Sequence, residues 1–209
     1  MQSISELTRG PGRPFPKPSP EALARVREAE EREREEARRK VLARVPERYR
    51  SATLDGLSEA VRAYAADPRG NLVLYGPAGA GKTHAACAVA LAFDPARRVE
   101  FATAESMLSA IQATYGSWER EDDVLSRFSA AALLVVDDLG KERPTAWALE
   151  KLYHVVNRRY NRMLPTVYTT QYSADALAAR LAREGGDKET AQALIRRIVE
   201  GATVARMSR

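Results

Sequence analysis

The stretch that most restricts this chain is Leu72-Val73-Leu74-Tyr75 followed by Gly76-Pro77-Ala78-Gly79-Ala80-Gly81-Lys82-Thr83. A short apolar strand enters a glycine-rich turn. The turn enters a helix that runs on through His84-Ala85-Ala86-Cys87-Ala88-Val89-Ala90-Leu91. Residues 76–83 satisfy the pattern G-x-x-x-x-G-K-[ST] without a mismatch. Small residues let backbone N–H groups surround a dense anion, and the helix N-terminus adds partial positive charge. Lys82 is suited to neutralise the outer phosphates of a nucleoside triphosphate, and Thr83 to offer a hydroxyl to Mg²⁺.

Length and composition agree with a single α/β domain carrying an extension: there are 209 residues, 44% of them hydrophobic. The single cysteine, Cys87, allows neither an intrachain disulfide nor a cysteine-based metal site, and reads as a small buried residue of a reducing compartment. No apolar run approaches the ~18 residues of a membrane span. The N-terminus carries no apolar signal segment, so the expected location is cytoplasmic. The net charge of +5 is uneven. Residues 1–50 hold 13 Lys/Arg and 9 Asp/Glu, a surplus of 4; the remaining 20 and 19 leave a surplus of 1. A basic arm on a nearly balanced body permits nucleic-acid binding without requiring it.

In chain order, residues 1–18 end in a proline- and glycine-rich segment that reads as a flexible tail. Ser19 suits an N-cap, with Pro20 at the first helical position. Residues 19–45 then form a charged helical arm. Glu28–Arg32, Glu30–Arg34, Glu35–Arg39 and Glu36–Lys40 are i,i+4 pairs in the favoured order. Apolar residues sit only at its ends (Leu23, Val26; Val41, Leu42, Val45), so the arm reads either as a solvated linker or as a docking element for a partner. Residues 46–209 read as the body. A helix is expected near Leu57–Ala65, strands at Leu72–Tyr75, Val99–Ala102, Ala132–Val136, Pro165–Thr170 and Ala202–Met207, and helices between them. These include a long one over Pro144–Arg162 with Pro144 in its first turn, one over Ala174–Arg183 capped by Ser173, and one over Lys188–Glu200 after the Gly185-Gly186 break. Strands alternating with helices give a parallel, doubly wound sheet.

Val136-Asp137-Asp138-Leu139-Gly140 delivers two acids to the carboxyl end of an apolar strand, where ligands of open α/β sheets bind. Alone, an acidic strand end is an ordinary turn. Beside the phosphate loop it fits a Walker B segment, with Asp137 holding Mg²⁺ and Asp138 polarising the attacking water. Gln171 follows the fourth strand and offers a neutral amide to the γ-phosphate or the water. Arg196 and Arg197 lie among Ile195, Ile198 and Val199. They read either as a helix-end charge or as an arginine reaching a neighbouring subunit's nucleotide.

From Val45 onward these motifs resemble the DnaC-type helicase loaders and the IstB-type transposition ATPases, both AAA+ ATPases. The resemblance rests on Val45-Pro46-Glu47-Arg48-Tyr49, Gly76–Thr83 with His84, Leu133–Gly140, Arg159-Tyr160, and Leu164-Pro165-Thr166-Val167-Tyr168-Thr169-Thr170-Gln171. It implies a five-stranded parallel AAA+ core without a helical lid, and ATP and Mg²⁺ as cofactors. It implies ATP contacts from Gly76, Pro77, Ala78, Gly79, Ala80, Gly81, Lys82, Thr83 and His84, and metal contacts from Thr83 and Asp137. Catalytic roles fall to Lys82, Asp138, Gln171 as sensor 1 and Arg197 as a trans-acting finger. Glu105–Phe128 resembles the family's helical insertion, which faces single-stranded DNA in loaders; Tyr115, Trp118 and Phe128 lie in or beside it, and core packing competes with base stacking for each. Two departures stand out. Gln171 replaces the usual Asn, and the arm lacks the cysteine cluster of some loaders.

The expectation is an ATP-hydrolysing replication protein that binds single-stranded DNA, assembles with its own copies and docks a replicative helicase through its arm. A transposition helper that docks a transposase is the alternative. A small-molecule P-loop kinase is a third reading, opposed by Asp137-Asp138 and Arg197.

Overall fold

Leu72 and Leu74 face one side of a sheet and Val73 the other, and the same alternation separates Leu133 and Val135 from Leu134 and Val136. The computed structural model describes residues 19–183 and 187–208. The 1–18 tail and the Gly185-Gly186 break lie outside them. The strands are β1 (Asn71–Tyr75), β2 (Val99–Thr103), β3 (Leu133–Leu139), β4 (Thr166–Thr170) and β5 (Thr203–Arg206). They pair in the order β2-β3-β4-β1-β5, all parallel.

Helices cover both faces, as a buried parallel sheet requires. On one face lie α2 (Glu59–Ala66) and the alanine-rich α3 (Lys82–Ala92), whose small side chains let it sit close against Leu72, Leu74, Val135 and Val167. On the other lie α4 (Ala104–Gln112), α5 (Glu121–Ser129), α6 (Ala146–Asn161), α7 (Ala174–Leu181) and α8 (Lys188–Val199). Ser173 caps α7 through the Ala176 amide, as expected, and Asp187 caps α8 through the amides of Glu189 and Thr190. The start of α6 differs from expectation. Thr145 is its cap, accepting from the Ala148 amide, so Pro144 precedes the helix rather than opening it.

Arg159 of α6 is fully buried and, among the described residues, has no carboxylate against it. Its guanidinium donates to Thr166 Oγ1 at 2.8 Å and to the carbonyls of Phe128, Ala131 and Pro165 at 2.9, 2.7 and 2.7 Å. One side chain thereby ties the end of α5 and the starts of β3 and β4 to α6, and burial lowers its pKa to about 10.

The arm helix α1 (Pro20–Arg44) is exposed along most of its length. Its end is not. Val41 and Val45 are 5% and 1% exposed and join the core with Ala52, Val61 and Tyr64. Arg44 pairs with Glu100 of β2. The last turn, which the sequence reading assigned to the arm, is packed into the body because two valines one turn apart share a face.

Candidate active site

Gly76 leaves β1 with φ 149°, and a Cβ there would lie 2.1 Å from the Met207 carbonyl oxygen. The chain after β5 crosses directly beneath the loop, and the Met207 amide donates to Tyr75 O at 2.8 Å. Gly79 and Gly81 have φ 79° and 80°, conformations that glycine adopts without strain. Pro77, Ala78 and Gly79 form the exposed rim and Ala80 is buried. The first amides of α3 have no acceptor within the helix and open toward the loop. His84, half-buried, lies in that first turn.

Lys82 is buried, with Nζ donating to the carbonyls of Gly76 at 2.8 Å and Pro77 at 2.7 Å. Burial lowers its pKa, while Asp138 and Asp137 act in the opposite direction. The ammonium therefore spans the loop and lies in the field of both acids.

The acids themselves differ from a simple strand end. β3 continues through them to Leu139 rather than stopping at Val136. Val136 pairs with Tyr168 and Leu139 with Thr170, so Asp137 and Asp138 together oppose Thr169 alone. This is a β-bulge, and Asp138 takes the left-handed φ of 58°. Adjacent residues of a regular strand point to opposite faces. The bulge breaks that rule where two acids have to serve one site.

Thr83 Oγ1 donates to Asp137 at 3.0 Å (Oδ1) and 3.2 Å (Oδ2). Thr169 Oγ1 donates to Asp137 Oδ1 at 2.6 Å and accepts the Asp138 amide at 2.8 Å. Burial raises the Asp137 pKa, opposed by the hydroxyls of Thr169 and Thr83. Lys141 Nζ holds Asp138 Oδ2 at 2.7 Å, while that carboxylate stays part-exposed. The hydroxyl–carboxylate pair of Thr83 and Asp137 is a donor set that suits Mg²⁺, which takes one or two protein oxygens and leaves the rest to phosphate and water.

β4 lies between β1 and β3, so its carboxyl end enters between the loop and the acids. Thr169 is the residue it contributes there, and sequence reasoning missed it. A hydroxyl inside a fully buried strand must find a partner, which was the available signal. Gln171 lies just past β4 and is exposed. Glu142 was also missed. It is buried, accepts the Gly140 amide at 2.8 Å, and has its pKa raised by burial. Arg180 of α7 donates to Gly140 O, so this turn is held on both sides.

Arg197 lies elsewhere. Its Nε donates to Asn157 Oδ1 at 2.8 Å, and its guanidinium stands 4.9 Å from the Tyr153 ring centre and 5.7 Å from that of Tyr160. Asn71 Nδ2 takes the carbonyls of Arg197 and Ile198 at 3.0 and 2.9 Å. Asn71 begins β1, whereas the phosphate loop follows its end, a separation of roughly 13 Å of strand. Arg197 is anchored at the wrong end of the sheet to reach its own loop. Arg196 is exposed, 3.7 Å from Glu200. In the α4–α5 region Phe128 is core, 2% exposed. Tyr115 is exposed and accepts from Trp147 Nε1 at 2.7 Å, while Trp118 is fully exposed. Cys87 is buried, its pKa pushed up to about 12.

A phosphate loop after β1, paired acids on β3 and a strand inserted between them define an ATP-binding P-loop protein of the AAA+ kind. The chain belongs to the IstB-like ATP binding protein family, whose model matches residues 53–208. No curated protein sequence matches it. Among solved structures, the DnaC helicase loader superposes with TM-score 0.65 at 22% identity, covering 78% of this chain and all of that one. A DnaI structure gives 0.60 at 19%, covering 82% and 91%. A replication initiator DnaA bound to AMPPCP and single-stranded DNA gives 0.63 at 17%, covering 76% of this chain but only 50% of that one. These likenesses establish a shared fold. Among the described residues no helix is long and apolar enough to cross a membrane.

Proposed function

We propose that the protein hydrolyses ATP with Mg²⁺ and acts as a DnaC-like helicase loader on single-stranded DNA. The observation that carries the hydrolytic reading is the β3 bulge, which gives Asp137 and Asp138 separate partners in one site. Lys82 and the loop amides bind the β- and γ-phosphates. Thr83 Oγ1 and Asp137 would hold the metal, directly and through its water shell. Bound there, Mg²⁺ neutralises phosphate charge and orients the transferring group. Asp138 leaves Lys141, orients the attacking water and accepts its proton on a carboxylate oxygen. Gln171, at the mouth of the site, supplies an amide to the γ-phosphate or that water. Arg197 serves the nucleotide of a neighbouring copy; its anchorage far from its own loop supports that role.

Three features support the loader reading: the fold likeness to DnaC over that chain's whole length, an arm that projects charged turns, and Leu23 and Val26 exposed on one face of α1. The arm docks a replicative helicase, and the exposed Tyr115 and Trp118 are available to stack bases. A second reading, a transposition helper docking a transposase, is favoured by the family description.

Affinity capture from extract with the full chain, and with a chain lacking residues 1–38, tests this. Recovery of a replicative helicase by the full chain alone supports the loader. Recovery of a transposase replaces it with the second reading.

A further inference from the structure

Glu100 of β2 is fully buried, and three arginines converge on its carboxylate, from the end of α1, the loop before β2 and α5. Arg98 donates Nε and Nη2 to Oε1 at 3.0 and 2.9 Å. Arg127, on α5, donates Nε to Oε2 at 3.4 Å. Arg44, at the end of α1, donates Nη1 to Oε1. The three arginine side chains are 37%, 50% and 51% exposed against 0% for the glutamate. The anion is interior and the cations are at the surface. Three positive charges less one negative leave +2 in this cluster. Arg97 adds a further guanidinium next in the chain, stacked 5.4 Å over Phe93.

A carboxylate accepts about four hydrogen bonds, and each guanidinium carries five donors. Three of the four bonds to Glu100 fall on Oε1 and one on Oε2, and together they use only a minority of the arginine donors, leaving the rest for another acceptor. Burial, with the adjacent Arg98 and Arg127, lowers the Arg44 pKa, a sign that like charges are crowded here.

The helix α5 is polarised. Glu121, Asp122 and Asp123 occupy its first turn, just after Glu119, and Arg127 its last. The phosphates of a strand are favoured at the Arg127 end over the acidic first turn, while the uncharged faces of bases remain free to meet the exposed Tyr115 and Trp118 rings.

We propose that Arg44, Arg98 and Arg127 form a phosphodiester-binding site for the backbone of a single nucleic-acid strand. The guanidinium fork matches phosphate oxygens. The cluster is half-exposed, which suits a polymer passing over it. This rests on the DNA-binding reading above and says where the phosphates sit.

The test is fluorescence anisotropy of labelled oligothymidine on the full chain across a salt series. The proteins are wild type, Arg127→Ala, Arg98→Ala/Arg127→Ala, and Arg62→Ala on α2 as a charge control. The double variant should bind about tenfold or more weakly at low salt, and its log–log salt slope should shrink by roughly 0.7 per lost contact. The Arg62 variant should match wild type. If the double variant melts early, Arg98→Lys/Arg127→Lys keeps the charge and loses the fork; it should keep the salt slope and bind less tightly. Equal affinity and slope in wild type and the Arg98/Arg127 variants overturn the site and leave DNA binding standing. Absence of wild-type binding overturns both. Competition by poly-glutamate as effective as by unlabelled oligothymidine reassigns the cluster to an acidic protein and overturns the proposal.

Discussion

Thr169 donates its hydroxyl hydrogen to Asp137 Oδ1 at 2.6 Å, across the bulge that separates β4 from β3. The hydroxyl oxygen of Thr169 in turn accepts the Asp138 amide, so one threonine holds both acids. Burial raises the Asp137 pKa and the threonine hydroxyl lowers it. Thr169→Val removes the lowering donor, so Asp137 protonates at higher pH. In the proposed mechanism the ionised form would hold the metal, so activity should fall as pH drops through this pKa. The acid limb of the ATPase pH profile should therefore move to higher pH, with about 1–3 kcal/mol of stability lost from the unpaired Asp138 amide. An unmoved limb would mean that Asp137 ionisation does not set it.

Asp138→Asn keeps the size of the side chain and removes its basicity. Nucleotide binding should survive while turnover falls by about 10²–10⁴. Lys82→Ala should instead lose nucleotide affinity, since the phosphates lose the buried ammonium. Wild-type turnover in Asp138→Asn would remove the base assignment.

Gly76→Ala places a methyl 2.1 Å from Met207 O. Backbone would have to move on one side or the other, and both sides belong to the site. Loss of ATP binding with a lowered melting temperature is expected by calorimetry and nucleotide fluorescence. Normal binding would show that the Met207 segment yields freely.

Removing residues 1–38 should leave ATP binding and the melting transition unchanged. Removing 1–45 should not. It takes away Val41 and Val45, each worth roughly 1.5–3 kcal/mol when buried. It also takes away the Arg44 partner of Glu100. At ~2–4 °C per kcal/mol for a chain of this size, melting should fall by on the order of 10 °C. Equal melting of the two truncations would place the last turn of α1 outside the core energetically.

Arg197→Ala should fold, bind ATP and fail to hydrolyse it. Mixed with Lys82→Ala, which retains the arginine but has a defective loop, it should recover part of the activity. Arg196→Ala should be milder, since Arg196 is exposed and points about 100° away. Turnover measured against mixing ratio decides. A flat background, with mixed assembly verified, would end the trans-acting role.

Elements set by local chemistry were readable from the chain: the phosphate loop, the Ser173 cap, the apolar strands and their parallel order of connection. That Thr83 and Asp137 lie at one edge was legible because loop and acid strand share the carboxyl edge of the sheet; the hydrogen bond between them was not. What escaped depended on contacts between distant segments. The bulge exists only in the pairing of β3 with β4, so Asp137-Asp138 looked like a strand end. Glu100 looked like one charge in a short strand, because its three arginines come from positions 44, 98 and 127. A charged residue in a strand destined for burial was itself the sign that partners would be needed. Val41 and Val45 were too few to outweigh the charged turns before them in a pattern-based reading.

The clamp of Asn71 on the Arg197 and Ile198 carbonyls carries a kinetic consequence. On the trans-acting reading of Arg197, a chain with its loop at one end of β1 and that guanidinium held at the other is complete for capture but incomplete for turnover. Hydrolysis per chain then depends on encounter. At low concentration the overall rate should rise with the square of protein concentration, becoming first order once neighbours are saturated. Dispersed copies would store triphosphate unspent, and any surface that gathers them would set the time and place of its cleavage.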